Sequence, residues 1–91
     1  MVSRVHIVVE GIVQGVGFRW FVYRLAESLG IAGWVRNLAN GNVEIEAEAE
    51  RSILEEFIKE VKVGPRSAHV TNLRIEWTQP SRQEFSHFQI R

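Results

Sequence analysis

Along this chain, apolar residues recur in some stretches at every second position and in others at every third or fourth. From Arg4 to Val13, Val5, Ile7 and Val9 share one face while Val8 adds to the other, the pattern of a central β-strand. Between Phe18 and Leu29 the spacing lengthens. Phe18, Phe21, Val22, Leu25, Ala26 and Leu29 form one stripe of an α-helix, and Gly30 supplies its C-terminal stop. Gly33 to Leu38 reads as a second strand leading into Asn40-Gly41, a dipeptide able to adopt the positive backbone angles of a tight hairpin. Beyond it, Val43, Ile45, Ala47 and Ala49 alternate with Glu44, Glu46, Glu48 and Glu50, so one face of the third strand is expected to be wet. Ser52 and Glu55 have the spacing of a capping box. They open a second helix that faces inward with Ile53, Leu54, Phe57, Ile58 and Val61 and ends at Gly64-Pro65. Thr71, Leu73, Ile75 and Trp77 mark a half-buried fourth strand, and Phe85, Phe88 and Ile90 a short fifth.

The order is therefore β-α-β-β-α-β plus a C-terminal strand, with both helices amphipathic and one sheet face charged. That order predicts an α+β, ferredoxin-like (split βαβ) sandwich, with two helices packed on one face of an antiparallel sheet. The 91 residues leave room for one core, so residues 1–91 are expected to form a single domain. At this length folding hides only roughly 60–65% of the unfolded surface, and nearly every periodic apolar position must enter the core. No internal repeat or linker interrupts the pattern, and Gln79 to Glu84 is the one stretch expected to be a mobile loop.

Charge and composition narrow the function. Eleven basic and eleven acidic residues balance to zero, a poor endowment for neutralising a polyanion, so nucleic acid is not expected as a partner. The absence of cysteine removes thiolate zinc sites and cysteine nucleophiles. Apolar runs are broken by Glu10, Gln14, Arg19 and Arg24 well short of bilayer length, and the N-terminus lacks the succession of a signal peptide. A cytoplasmic protein is the default expectation.

The densest chemical signal lies where the first strand hands over to the first helix, in Gly11-Ile12-Val13-Gln14-Gly15-Val16-Gly17-Phe18-Arg19. Glycines there permit sharp turns whose successive N–H groups can form an anion nest, and the helix that follows adds its free amides and positive dipole end. A guanidinium in the first turn supplies forked donors matched to phosphate oxygens. The Walker loop needs Gly-Lys-Ser/Thr where this chain has Gly17-Phe18-Arg19, and the dinucleotide fingerprint needs a third glycine where it has Trp20. A bare Gly-x-Gly reads first as a simple turn connecting strand to helix. Against that, a cation at a helix start is unfavourable unless an anion intervenes.

Residues 11–19 resemble the first signature of the acylphosphatase family, Gly-x-Val-Gln-Gly-Val-x-Phe-Arg, at every fixed position. Gly33-Trp34-Val35-Arg36-Asn37-Leu38-Ala39-Asn40-Gly41-Asn42-Val43 is similar to the second, and the likeness extends from about Val5 to Ile90. Two positions depart from the pattern: Ala49, where glycine usually ends the second signature, and Arg66, where a second proline is common. The resemblance implies a metal-independent hydrolase that splits the carboxyl-phosphate bond of a small acyl phosphate by water attack on phosphorus. In that reading Arg19 binds the phosphate, Asn37 orients the water, and Gln14, Gly15, Val16, Gly17, Phe18 and Arg19 form the phosphate-binding loop.

Physical chemistry agrees with the inventory. The leaving carboxylate of an acyl phosphate is already a stable anion, so no general acid is required, and positioning plus charge neutralisation suffices. Asn37 offers an acceptor and donors for a water without being a strong base. Taken alone, it reads rather as a strand-end or turn residue, since Asn favours local backbone hydrogen bonds, and its place in the second signature reverses that reading. The alternating glutamates lie about 7 Å apart along a strand face and are read as solvated, with Arg36 as one cross-strand partner. His6, His69 and His87 fall on separate elements with no ligand spacing. Trp34 and Trp77 are read as packing residues, and Trp20 as a shield at the pocket edge. Two alternatives remain: a non-catalytic ferredoxin-like module for a small anion or RNA, and the acylphosphatase-like domain that opens a hydrogenase-maturation carbamoyl-transfer protein. An RNA-binding sheet would display aromatics where this third strand has carboxylates, and the second alternative would continue beyond Arg91.

Overall fold

The computed structural model describes residues 1–91. Its elements follow the predicted order: β1 (Ser3–Ile12), α1 (Phe18–Leu29), β2 (Ala32–Asn37), β3 (Val43–Ala49), α2 (Arg51–Val63), β4 (His69–Thr78) and β5 (Phe88–Ile90). The strands form one sheet in the order β4-β1-β3-β2-β5. Four of them are antiparallel neighbours, but β5 runs parallel to β2, with Gly33 opposite Phe88 and Val35 opposite Ile90. The sheet is thus mixed, because the chain reaches β5 after passing from one sheet edge to the other and arrives in the direction of β2.

Both helices cover one sheet face. Val5, Ile7 and Val9 of β1 and Val43, Ile45 and Ala47 of β3 meet Phe18, Val22 and Ala26 of α1 and Leu54, Phe57 and Val61 of α2 in one apolar cluster. Helix α1 ends as its sequence predicts. Gly30 adopts the left-handed conformation (φ 70°), and Ile31 N–H donates to the Ala26 carbonyl at 2.9 Å.

Four local expectations are corrected. Helix α2 begins one residue before Ser52, with Glu50 as its N-cap and no side-chain cap. The capping box does not form, because β3 runs directly into the helix and the Glu50 carbonyl accepts from Ile53 and Leu54. In the hairpin loop only Gly41 has positive φ, and the turn closes through Leu38 N–H to the Asn42 carbonyl at 2.8 Å. A bulge between Glu10 and Gly11 shifts the β1–β4 register, pairing Gly11 with Val70 and Glu10 with Asn72. Val70 therefore packs on the core where simple alternation assigns Thr71, which is exposed.

The fourth correction concerns the glutamate face. Glu48 is 2% exposed: its carboxylate accepts from Arg4 (2.6 and 2.9 Å) and from the amides of Glu84 and Phe85 (both 2.9 Å). The segment before β5 folds over that end of the sheet, so an outward-pointing side chain is covered. Burial alone would raise the Glu48 pKa, but the Phe85 amide, Arg4 and the Glu84 amide outweigh it and hold the group below the usual carboxylate range. Glu44 is likewise shared by His6 (2.7 Å) and Arg36 (2.6 Å). The Gln79–Glu84 loop is tethered at both ends, since Gln79 also donates to the Val2 carbonyl at 2.6 Å. Trp77 packs against the core, with the Arg51 guanidinium 3.8 Å from its ring centre, whereas Trp34 stays outside the core cluster with the Arg36 and Arg91 guanidinia over its ring at 5.2 and 4.9 Å.

Candidate active site

Strand β1 delivers the glycine loop to one end of the sheet, and α1 starts immediately after it. Gly15 (φ 74°) and Gly17 (φ 75°) both take the left-handed conformation, which a side-chain-bearing residue adopts only at a cost. No backbone carbonyl accepts the amides of Gly15, Val16, Gly17, Phe18, Arg19 or Trp20; the first helical bond runs from Phe21 N–H to the Gly17 carbonyl at 3.0 Å. Six consecutive donors are therefore left for another acceptor. Five of these residues, Gly15, Gly17, Phe18, Arg19 and Trp20, line a pocket of about 210 Å³ together with Asn37, with Val13 and Ile90 as apolar walls.

Asn37 enters from the last residue of β2, eighteen residues beyond Arg19, and its arrival depends on Gln14. The Gln14 Nε2 donates to the Leu38 carbonyl at 2.7 Å and to the Asn42 carbonyl at 2.8 Å, fastening the glycine loop to the β2–β3 turn. Gln14 thus faces the turn rather than the pocket. Val16 also points away: it packs on the core, and its carbonyl accepts from Ser67 Oγ at 2.8 Å. Phe18 is buried beneath the loop and closes the pocket floor. Of the predicted loop residues, Gly15, Gly17, Phe18 and Arg19 line the pocket, while Gln14 and Val16 hold the loop in place.

Sequence reasoning missed Val13 and Ile90. Val13 carried a signal as a fixed position of the first signature; Ile90 carried none, because it reaches the site only through the parallel β2–β5 pairing. The same pairing brings the main-chain oxygen of Arg91 to 3.2 Å from Arg19 Nη1. No side-chain carboxylate pairs with Arg19, whereas Arg4, His6, Arg36, Arg51 and Arg74 each have a glutamate partner. No Asp or Glu occurs from Gly11 to Ala26 or from Val61 to Ile75. A chain with balanced charge consequently keeps a cationic end around this pocket.

Residues 5–90 match the family model named acylphosphatase. The chain belongs to the acylphosphatase family. It is 51% identical over 76 residues to the acylphosphatase of Thermotoga petrophila, covering 84% of each chain. With the acylphosphatase of Chlorobaculum tepidum it shares 45% identity over 74 residues, 81% of this chain and 80% of that one. The crystal structure of acylphosphatase from Bacillus subtilis superposes with a TM-score of 0.92 at 39% identity, covering 97% of both chains. The acylphosphatase fold is the ferredoxin-like α+β sandwich read from the hydrophobic pattern. No helix is long and apolar enough to cross a membrane.

Proposed function

We propose that this protein hydrolyses small acyl phosphates to carboxylate and inorganic phosphate in the pocket between the glycine loop and the end of β2. The observation that carries the site assignment is the gathering of five residues with uncommitted amides, a guanidinium without an acidic side-chain partner and Asn37 around one 210 Å³ cavity. The loop amides and Arg19 hold the phosphoryl oxygens and neutralise the charge that spreads over them as the bond to the acyl oxygen loosens. Asn37 holds a water in line with phosphorus. The water oxygen bonds to phosphorus, the P–O bond to the acyl group breaks, and the carboxylate departs with the electron pair. The proton of the water passes to the phosphate itself. The reaction runs without metal or cofactor, in a cytoplasmic monomer that does not use nucleic acid. Family membership and the ion-paired carboxylates on the open sheet face weigh against a non-catalytic RNA-binding module.

The test is hydrolysis of benzoyl phosphate in EDTA. Turnover is expected, with Arg19→Gln and Asn37→Ala each lowering kcat about 100- to 1,000-fold, the scale for removing a preorganised transition-state donor. Activity that needs added metal, or that survives Arg19→Gln, would overturn the assignment.

A further inference from the structure

A second, larger cavity adjoins the first. It measures about 490 Å³ and shares Gly17 and Trp20 with the phosphate pocket, so the two lie side by side. From Gly17 it follows one face of α1 past Trp20, Phe21, Arg24 and Leu25, and Pro65 forms its opposite wall. These helix positions lie three and four residues apart and therefore on a single stripe.

Both walls are held in place. Trp20 is 56% exposed, yet its ring stacks on Tyr23 with centroids 5.3 Å apart and planes 16° from parallel. The turn bearing Pro65 is tied to the glycine loop by the Ser67 to Val16 hydrogen bond. Arg24 is the one charged residue lining the groove and enters no ion pair, and the segment carrying Pro65 contributes no acid, none occurring between Val61 and Ile75. Arg24 lies seven residues beyond Gly17, about 10 Å along the helix axis, and helical side chains lean back toward the N-terminus. A guanidinium so placed faces the far end of a short acyl chain whose phosphate occupies the glycine loop.

We propose that this groove is the acyl-group subsite, with Trp20 covering the methylenes and Arg24 selecting acyl phosphates whose acyl group ends in a second carboxylate. The inference rests on the hydrolase reading above. It adds a substrate class and a specificity residue outside both family signatures.

The test compares succinyl phosphate with butyryl phosphate, which has the same chain length and no second charge. For the wild-type chain, kcat/KM should favour succinyl phosphate about fivefold at low salt, the upper range for a solvent-washed ion pair. The ratio should fall toward one in Arg24→Gln, recover in part in Arg24→Lys, and shrink as salt rises. A folding defect would scale both substrates equally and leave the ratio unmoved. Equal wild-type rates, or a preference that persists in Arg24→Gln, overturn the subsite while leaving the hydrolase reading intact. Failure to hydrolyse either compound overturns both.

Discussion

Replacing Gln14 by methionine tests whether the glycine loop and Asn37 are one unit. The substitution keeps the side-chain length and removes both donors, and with them the bonds to the Leu38 and Asn42 carbonyls. Neither carbonyl is then orphaned: Leu38 still accepts from Gly41 at 3.2 Å, and Asn42 from Leu38 at 2.8 Å. The stability cost is therefore the net value of two hydrogen bonds, about 2 kcal/mol, without the added penalty of a buried unpaired acceptor. For a domain of this size that lowers Tm by about 8–16 °C. The catalytic loss should be larger than the stability loss implies. Displacing a water-holding group by about 1 Å costs on the order of 100-fold in rate, so kcat on benzoyl phosphate should fall about 10- to 100-fold at a temperature where the variant is fully folded. Inhibition by inorganic phosphate should change little, since Gly15, Gly17 and Arg19 remain. A variant with wild-type kcat but a lowered Tm would show that the bridge stabilises the fold without positioning Asn37.

Two further outcomes follow from the same structure. Gly33→Ala should cost about 3 kcal/mol or more, because φ is 146° and a Cβ there overlaps the Glu46 backbone in the adjacent strand; an unchanged urea midpoint would refute this. Glu48→Gln should lower stability at pH 7 by about 1–3 kcal/mol through loss of charge-assisted bonds to Arg4 and two amides. The Glu48 carboxyl is held below its ordinary value of 4.5, so its contribution is present above that pH and is lost as pH falls through the depressed value. Melting curves of the two proteins should accordingly converge in acid, and a constant gap down to full protonation would contradict the reasoning.

Much of the fold was legible because its signals are local. Helix α1 has the predicted bounds, since left-handed glycines at Gly17 and Gly30 bracket an uninterrupted apolar stripe. The start of α2 was misread because a capping box is a local option that the direct passage from β3 through Glu50 overrides. The bulge at Thr71 and the parallel entry of β5 depend on how strands meet, which spacing within one strand does not record. The glycine loop, Arg19 and Asn37 were identifiable as motif residues, while the adhesive roles of Gln14 and Ser67 required partners from 24 to 51 residues away.

By itself, the order of residues determined the succession of elements, the apolar stripes that become the core, and a cationic glycine turn ahead of α1, since each arises from neighbours within a few positions. Folding in three dimensions decided the rest: that Asn37 and Ile90 meet Arg19, that Glu48 lies under Arg4 and the Glu84–Phe85 amides, and that a groove continues along α1 to Arg24. Those arrangements depend on strand register and loop closure over tens of residues, and a side chain's partners are set there rather than by its own sequence neighbourhood.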